Sequence, residues 1–139
     1  KYVSIAKKKK LKNIFFTNEL NDDDKNALLY NCYGFVLPST NRAEAFGIVQ
    51  LEAAFFSKPL ICTELGTGTT FINENNTTGL VVEPNNPAEL SNAINYLIKN
   101  PAIARKMGQQ AKEKVKKDFL SIRMCEEYLK IYSKLLNSN

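Results

Sequence analysis

Four short apolar runs constrain this chain more than any other feature: Ile14-Phe15-Phe16, Phe35-Val36-Leu37, Leu60-Ile61-Cys62 and Leu80-Val81-Val82. A strand with one face in water alternates apolar and polar residues. A run that is apolar throughout marks a strand covered on both faces, the situation of a parallel sheet. Between the runs the apolar spacing turns helical, over residues 24–32, 47–57 and a short stretch near Phe71. Strand, helix, strand in repetition predicts an α/β domain with a doubly wound parallel sheet and right-handed crossovers.

After Val82 the pattern is helical and clearly punctuated. Asn86 is placed to cap a helix, Pro87 to open it and Glu89 to complete a capping box. Leu90, Ala93, Ile94, Leu97 and Ile98 follow at helical spacing and form the expected buried stripe. Asn100-Pro101 repeats the device for a second helix. Ser121 opens a third, a helical C-terminal tail over 121–139 on which Met124, Tyr128, Ile131 and Leu135 share one face. No repeat or low-complexity linker divides the 139 residues, a length that supports one core. A single domain over 1–139 is expected. It opens on Lys1 in what reads as the middle of a helix, so the expectation is of a truncated piece of something longer.

Residue counts remove several function classes. Histidine is absent, which excludes Ser-His and Cys-His nucleophiles and histidine metal sites. The cysteines, Cys32, Cys62 and Cys125, are scattered and odd in number. They build neither a disulfide framework nor a zinc ribbon, and they fit a reducing, cytoplasmic compartment. No apolar run reaches the ~20 residues of a membrane span and no signal peptide opens the chain, so membrane association is expected to be peripheral at most. Much of the net charge of +5 lies in residues 7–12 and 112–117. Neither run interleaves aromatic residues as a single-strand binder does. Both are read as solvated helix ends suited to the negative pole of the macrodipole, with no nucleic-acid partner.

Ligands of doubly wound sheets lie beyond the carboxyl ends of the strands, which singles out the loops 17–23, 38–46 and 63–70. The second leads into Glu44-Ala45-Phe46-Gly47-Ile48-Val49-Gln50-Leu51-Glu52. On a wheel of about 100° per residue, Ile48, Val49, Leu51, Phe55 and Phe56 occupy one broad arc, with Gln50 and Ser57 opposite and Glu52 near the arc's centre. Isolated burial of a carboxylate costs several kcal/mol. Glu52 therefore needs a lysine or arginine from a neighbouring element, a helix rotated to leave it wet, or a ligand. Gly47 permits close approach to the backbone, and free amides of residues 47–49 at a helix start form an anion site. Glu44 stands at the mouth of the same crevice. Acceptor-only carboxylates at either end, with bare amides between, suit a molecule with hydroxyls at both ends and phosphates in the middle. A nucleotide sugar has that layout.

The same residues carry a resemblance. Residues 35–54, with Glu44 and Glu52 set around Phe46-Gly47, are followed by Ser57-Lys58-Pro59, the loop Glu64-Leu65-Gly66-Thr67-Gly68 and the stretch from Thr78 to Leu90. Together they resemble the Glu-x7-Glu region of the retaining family-4 (group 1) glycosyltransferases of GT-B fold, from about Leu11 to Leu136. The resemblance implies the Rossmann-like C-terminal half of such an enzyme, the part that binds the nucleotide-diphosphate sugar, with no metal or other cofactor. It implies that Glu44, at the reaction centre, accepts hydrogen bonds from donor-sugar hydroxyls and that Glu52 holds the ribose diol. Phe46 and Gly47 would offer backbone groups to the sugar, Gly47, Ile48 and Val49 amides to the diphosphate, and Leu20 backbone to the base. The family usually has glycine where Asn18 stands, and asparagine tolerates the left-handed turn. Its diphosphate-neutralising arginine and lysine, and its acceptor domain, lie upstream of Lys1. The fragment alone is therefore expected to be inactive, with Arg42 the remaining nearby cation.

Two further stretches invite a functional reading. Gly66-Thr67-Gly68 resembles the family's equivalent loop, so a second set of donor-facing amides stands beside a plain turn feeding a short helix. Asn21-Asp22-Asp23-Asp24 contains an Asp-x-Asp, but acids at a helix start are favoured by capping and dipole alone. The leading reading is a hexosyltransferase acting on a saccharide or lipid-linked acceptor in surface polysaccharide synthesis. The alternatives are a sucrose-phosphate-synthase-like enzyme with a small soluble acceptor and a non-catalytic α/β module using its basic face.

Overall fold

Three of the four apolar runs form the sheet. The computed structural model describes residues 2–137, so Lys1 and the last two residues of the expected tail lie outside it. The elements in order are α1 (Tyr2–Lys8), α2 (Asp22–Asn31), β1 (Phe35–Leu37), α3 (Val49–Phe55) and β2 (Leu60–Thr63). They continue with α4 (Thr69–Ile72), β3 (Gly79–Val82), α5 (Pro87–Lys99), α6 (Pro101–Asp118) and α7 (Ser121–Leu136). The strands pair in parallel in the order β1-β2-β3, with Phe35 beside Leu60 and Leu60 beside Gly79.

The central strand shows why its run is apolar throughout. All of β2 is buried, and successive residues serve opposite faces. Leu60 packs with Leu29, Ala53, Ala54, Ile72, Ala111 and Val115 on one face. Ile61 packs with Val82, Ala93, Leu97, Ala104 and Met107 on the other. Helix α6 supplies both cores and approaches closely at Gly108, where a Cβ would lie 2.0 Å from the Ser57 carbonyl oxygen.

The run Ile14-Phe15-Phe16 does not form a strand. A strand of three residues is held by its ladder and by cover on its faces, and among the described residues none pairs with it. All three side chains are exposed, Phe15 at 88%. The run reports a preference for burial, but nothing in it specifies a neighbour.

Helix punctuation is mostly as expected. Asn21 Oδ1 accepts from Asp24 N at 2.8 Å, which makes the acidic run a cap and first turn. Asn86 Oδ1 accepts from Glu89 N at 3.1 Å with Pro87 in the first turn. The Glu89 carboxylate goes to Glu83 N and Asn86 Nδ2 instead of closing the box on the Asn86 amide. Asn100 differs. It ends α5, its side chain donates back to Tyr96 O at 2.8 Å, and it makes no cap bond to α6. A residue shared by two helices has one side chain, and here the preceding helix takes it.

The α5 stripe is buried at Ala93 and Leu97 and partly covered at Leu90 and Ile94, whereas Ile98 is exposed. Ile98 lies beside the open edge of β1, over an apolar hollow of about 410 Å³ shared with Tyr33, Phe35 and Val36. Helix α7 has the expected apolar face but buries no residue. The 112–117 run behaves as a helix end: Lys112 lies over the Phe55 ring, Lys114 pairs with Glu74 and covers Phe71, and Lys116 and Lys117 close α6. No helix among the described residues is long and apolar enough to cross a membrane.

Candidate functional site

The loops after β1 and β2 meet at the carboxyl ends of the strands. At their centre Gly47 adopts φ +80°, and a Cβ there would lie 2.7 Å from Gln50 Nε2 and 2.8 Å from Leu37 Cδ2. Both conformation and space therefore require glycine. Gln50 N bonds to Gly47 O at 2.9 Å and Leu51 N to Ile48 O at 2.9 Å, so α3 starts at Val49, slightly later than its pattern predicts. Among the described residues none accepts a hydrogen bond from the amides of Gly47, Ile48 or Val49. The side chains of Ile48, 66% exposed, and Val49 point away from the core.

That exposure corrects the orientation read for α3. Its buried face is Gln50, Ala53 and Ala54, and Phe55 is exposed. The wheel weighs bulky side chains, whereas α6 approaches through small ones and selects the alanine face. Glu52 consequently stands at the margin of the packed face, its side chain 36% exposed. Its Oε1 accepts from Lys25 Nζ at 3.2 Å, and Lys25 also reaches Asp22 at 3.0 Å. Those two partners, Asp22 first, raise the lysine's pKa. The ion pair with a neighbouring element is thus realised, with Glu52 Oε2 outside it.

Glu44 is half-buried, and among the described residues its carboxylate has no hydrogen-bond partner. It borders a polar cleft of about 490 Å³ with Tyr2, Ser39, Thr40 and Asn41. Asn41 Oδ1 accepts from Ala43 N at 2.9 Å, shaping the turn before it. Arg42 is exposed and donates to Gly66 O at 3.2 Å, so it joins the two loops. The Phe46 ring packs edge-on to Phe119, 6.1 Å between centroids. Leu20 is half-buried just ahead of the α2 cap, outside helix and strand, and the helix that follows it carries Lys25, the partner of Glu52.

In the 64–68 loop, Gly66 N donates to Glu64 Oε1 at 2.8 Å and Gly68 N to Ala45 O at 2.8 Å. These two amides are occupied within the protein, which removes them from a donor-facing set. Sequence reasoning missed Gln50. It is 0% exposed, donates to Thr69 O at 3.2 Å, and leaves Oε1 buried without a partner. The available signal was its place beside Gly47, where the loops must be tied together. Cys62 is also interior, and burial pushes its thiol up to about 11, which leaves it inert as a nucleophile at neutral pH.

The chain is similar to several known proteins. The O-antigen chain mannosyltransferase C of Escherichia coli is 41% identical over 133 residues, covering 96% of this chain and 36% of its own length. The chain therefore spans about a third of that relative. The sucrose-phosphate synthase of Thermosynechococcus elongatus superposes with TM-score 0.83 at 25% identity, over 99% of this chain and 34% of the other. The Anabaena protein HepE, solved with UDP-glucose, superposes with TM-score 0.84 at 22% identity over 96% of this chain and 36% of its own, a likeness of fold. The family described as glycosyl transferases group 1 matches residues 1–114, taking in the sheet, both glutamates and most of α6. On that match, and on the parallel sheet that carries it, the chain belongs to the group 1 glycosyl transferases.

Proposed function

We propose that this chain is the nucleotide-sugar-binding part of a retaining hexosyltransferase that extends a saccharide or lipid-linked acceptor, at a cytoplasmic site no more than peripheral to the membrane. The observation that carries the reading is the row of uncommitted amides at residues 47–49 between the unpartnered Glu44 carboxylate and the half-exposed Glu52. Free backbone amides where a loop enters a helix favour phosphate, and ionised carboxylates accept from hydroxyls. Glu44 binds the transferred sugar, Glu52 the ribose, the backbone of Phe46 and Gly47 the sugar, and the amides of Gly47, Ile48 and Val49 the diphosphate. Arg42 adds positive charge, and Leu20 meets the base.

In the reaction the bond from the sugar's anomeric carbon to the diphosphate breaks, and a bond to the acceptor oxygen forms on the same face. The acceptor's proton passes to the departing diphosphate. This chain contributes charge stabilisation of that leaving group, with no protein nucleophile needed. The acceptor and the cations that complete the diphosphate site are supplied outside these residues, so weak donor binding without turnover is expected of the chain alone.

The test is ligand-observed NMR with UDP, GDP and ADP and their sugar conjugates at low and moderate salt. Glu52→Gln should weaken the preferred nucleoside diphosphate about ten- to hundredfold, the range for a hydrogen bond to a charged group. Glu44→Ala should weaken the sugar nucleotide by a similar factor and leave the diphosphate nearly unchanged. Equal loss of the diphosphate in both variants would show the division of roles to be wrong. Binding of all three diphosphates that only fades with salt would point to the basic-surface module instead.

A further inference from the structure

The 66–69 segment backs residues 42–50 almost link for link. Arg42 Nη2 donates to Gly66 O, Thr67 Oγ1 to Glu44 O at 2.9 Å, Gly68 N to Ala45 O, and Gln50 Nε2 to Thr69 O. A Cβ on Gly68 would lie 2.3 Å from the Phe46 ring, so the loops are in contact as well as bonded. Among these links, Thr67 alone uses a side chain of the second loop to hold the backbone of Glu44, the residue whose carboxylate is uncommitted. Thr67 Oγ1 also lies 3.3 Å from Thr69 Oγ1. A hydroxyl carries one proton, so with Thr67 donating to Glu44, Thr69 must donate to Thr67. Thr69 is 1% exposed and its carbonyl accepts from the buried Gln50 amide. Thr69 is thus an interior residue whose backbone is tied by Gln50 and whose hydroxyl stands behind that of Thr67.

We infer that Thr67 is a positioning residue for Glu44: its hydroxyl, backed by the buried Thr69, sets the backbone from which the Glu44 carboxylate is aimed. The consequence for ligands rests on the donor-site reading above, because a sugar is what gives Glu44 something to hold. Thr67→Val keeps the side chain's shape and removes its hydroxyl, whereas Thr67→Ser keeps the hydroxyl.

The experiment measures affinity for UDP-glucose, GDP-mannose and ADP-glucose, each beside its nucleoside diphosphate, together with residue-resolved amide hydrogen exchange of the free protein. For whichever donor the parent chain binds, Thr67→Val should weaken the sugar nucleotide about five- to tenfold relative to its diphosphate, the scale of one hydrogen bond. Exchange should quicken at Gly68 and Gln50, whose amides bond to the carbonyls of Ala45 and Gly47, with α5 and α6 unchanged. Thr67→Ser should restore both readouts. A hydroxyl that only stabilises the fold would lower the affinity for sugar nucleotide and diphosphate alike, and that result overturns the inference. Should the parent chain bind none of the six compounds, the donor reading fails, and exchange alone decides: no change at Gly68 and Gln50 overturns the inference, and a local, serine-rescued increase upholds it.

Discussion

Helices α6 and α7 follow one another across Phe119 and Leu120, are 18 and 16 residues long, and both carry an apolar face. Helix α6 buries Ala104, Met107, Gly108, Ala111 and Val115, while α7 buries nothing. The difference lies in the side chains on the face. The α6 face is small at Ala104, Gly108 and Ala111, which lets its backbone come against the turn between α3 and β2. The α7 face is Met124, Tyr128, Ile131 and Leu135, all exposed, with no small residue to set a close approach. An apolar stripe states that a helix has a face to cover. Small residues on that stripe state that the cover is another backbone at short range.

The sharpest way to break the comparison is to give α6 the bulk of α7. Gly108→Val places a branched side chain where even a Cβ would lie 2.0 Å from Ser57 O and 2.7 Å from its carbonyl carbon. The obstacle is backbone, so no rotamer change relieves it, and the cost should exceed the roughly 1–3 kcal/mol of ordinary overpacking. Urea denaturation should show loss of the cooperative transition or a large fall in its midpoint. A variant as stable as the parent would mean that α6 does not pack at this distance.

Met107→Ala makes the opposite change on the same helix, removing bulk from the core shared with Ile61 and Val82. It should cost about 2–4 kcal/mol, the range for a large-to-small change at a fully buried site, with the denaturant slope unchanged. The calorimetric midpoint and the urea midpoint should fall together.

The same contrast explains what could be read from the sequence. The runs at β1, β2 and β3 were legible because each is apolar on both faces and has a neighbour on the sheet. Ile14-Phe15-Phe16 has the composition without a neighbour among the described residues, and pairing is a property of two segments. Asn86 read correctly as a cap because its side chain has one helix to serve. Asn100 did not, because α5 and α6 both border it and the first takes its amide. At the candidate site, the need for glycine at 47 and an ion pair for Glu52 with a neighbouring element could be read from residue type and position, whereas the buried face of α3 could not. Gln50 and Thr67 were not legible either, because each earns its place through a bond to a loop distant in sequence, Gln50 to Thr69 and Thr67 to Glu44.

The smallest expected effect is the most telling for α7. Ile131 lies on the apolar face between Tyr128 and Leu135, is exposed, and belongs to a helix without buried residues. Ile131→Ser removes apolar surface that stays about half in water after folding, with Ile131 53% exposed, so the transfer term that dominates Met107→Ala is much reduced. What remains is a helix-propensity change of a few tenths of a kcal/mol, and total stability should stay within about 0.5 kcal/mol of the parent. Urea denaturation followed by fluorescence and by far-ultraviolet circular dichroism should give coincident midpoints for parent and variant. A loss of 2 kcal/mol or more, on the scale of about 2–5 kcal/mol for a buried aliphatic residue, would mean that the α7 face is covered in solution, and that the distinction between the two helices is one of partner and not of burial.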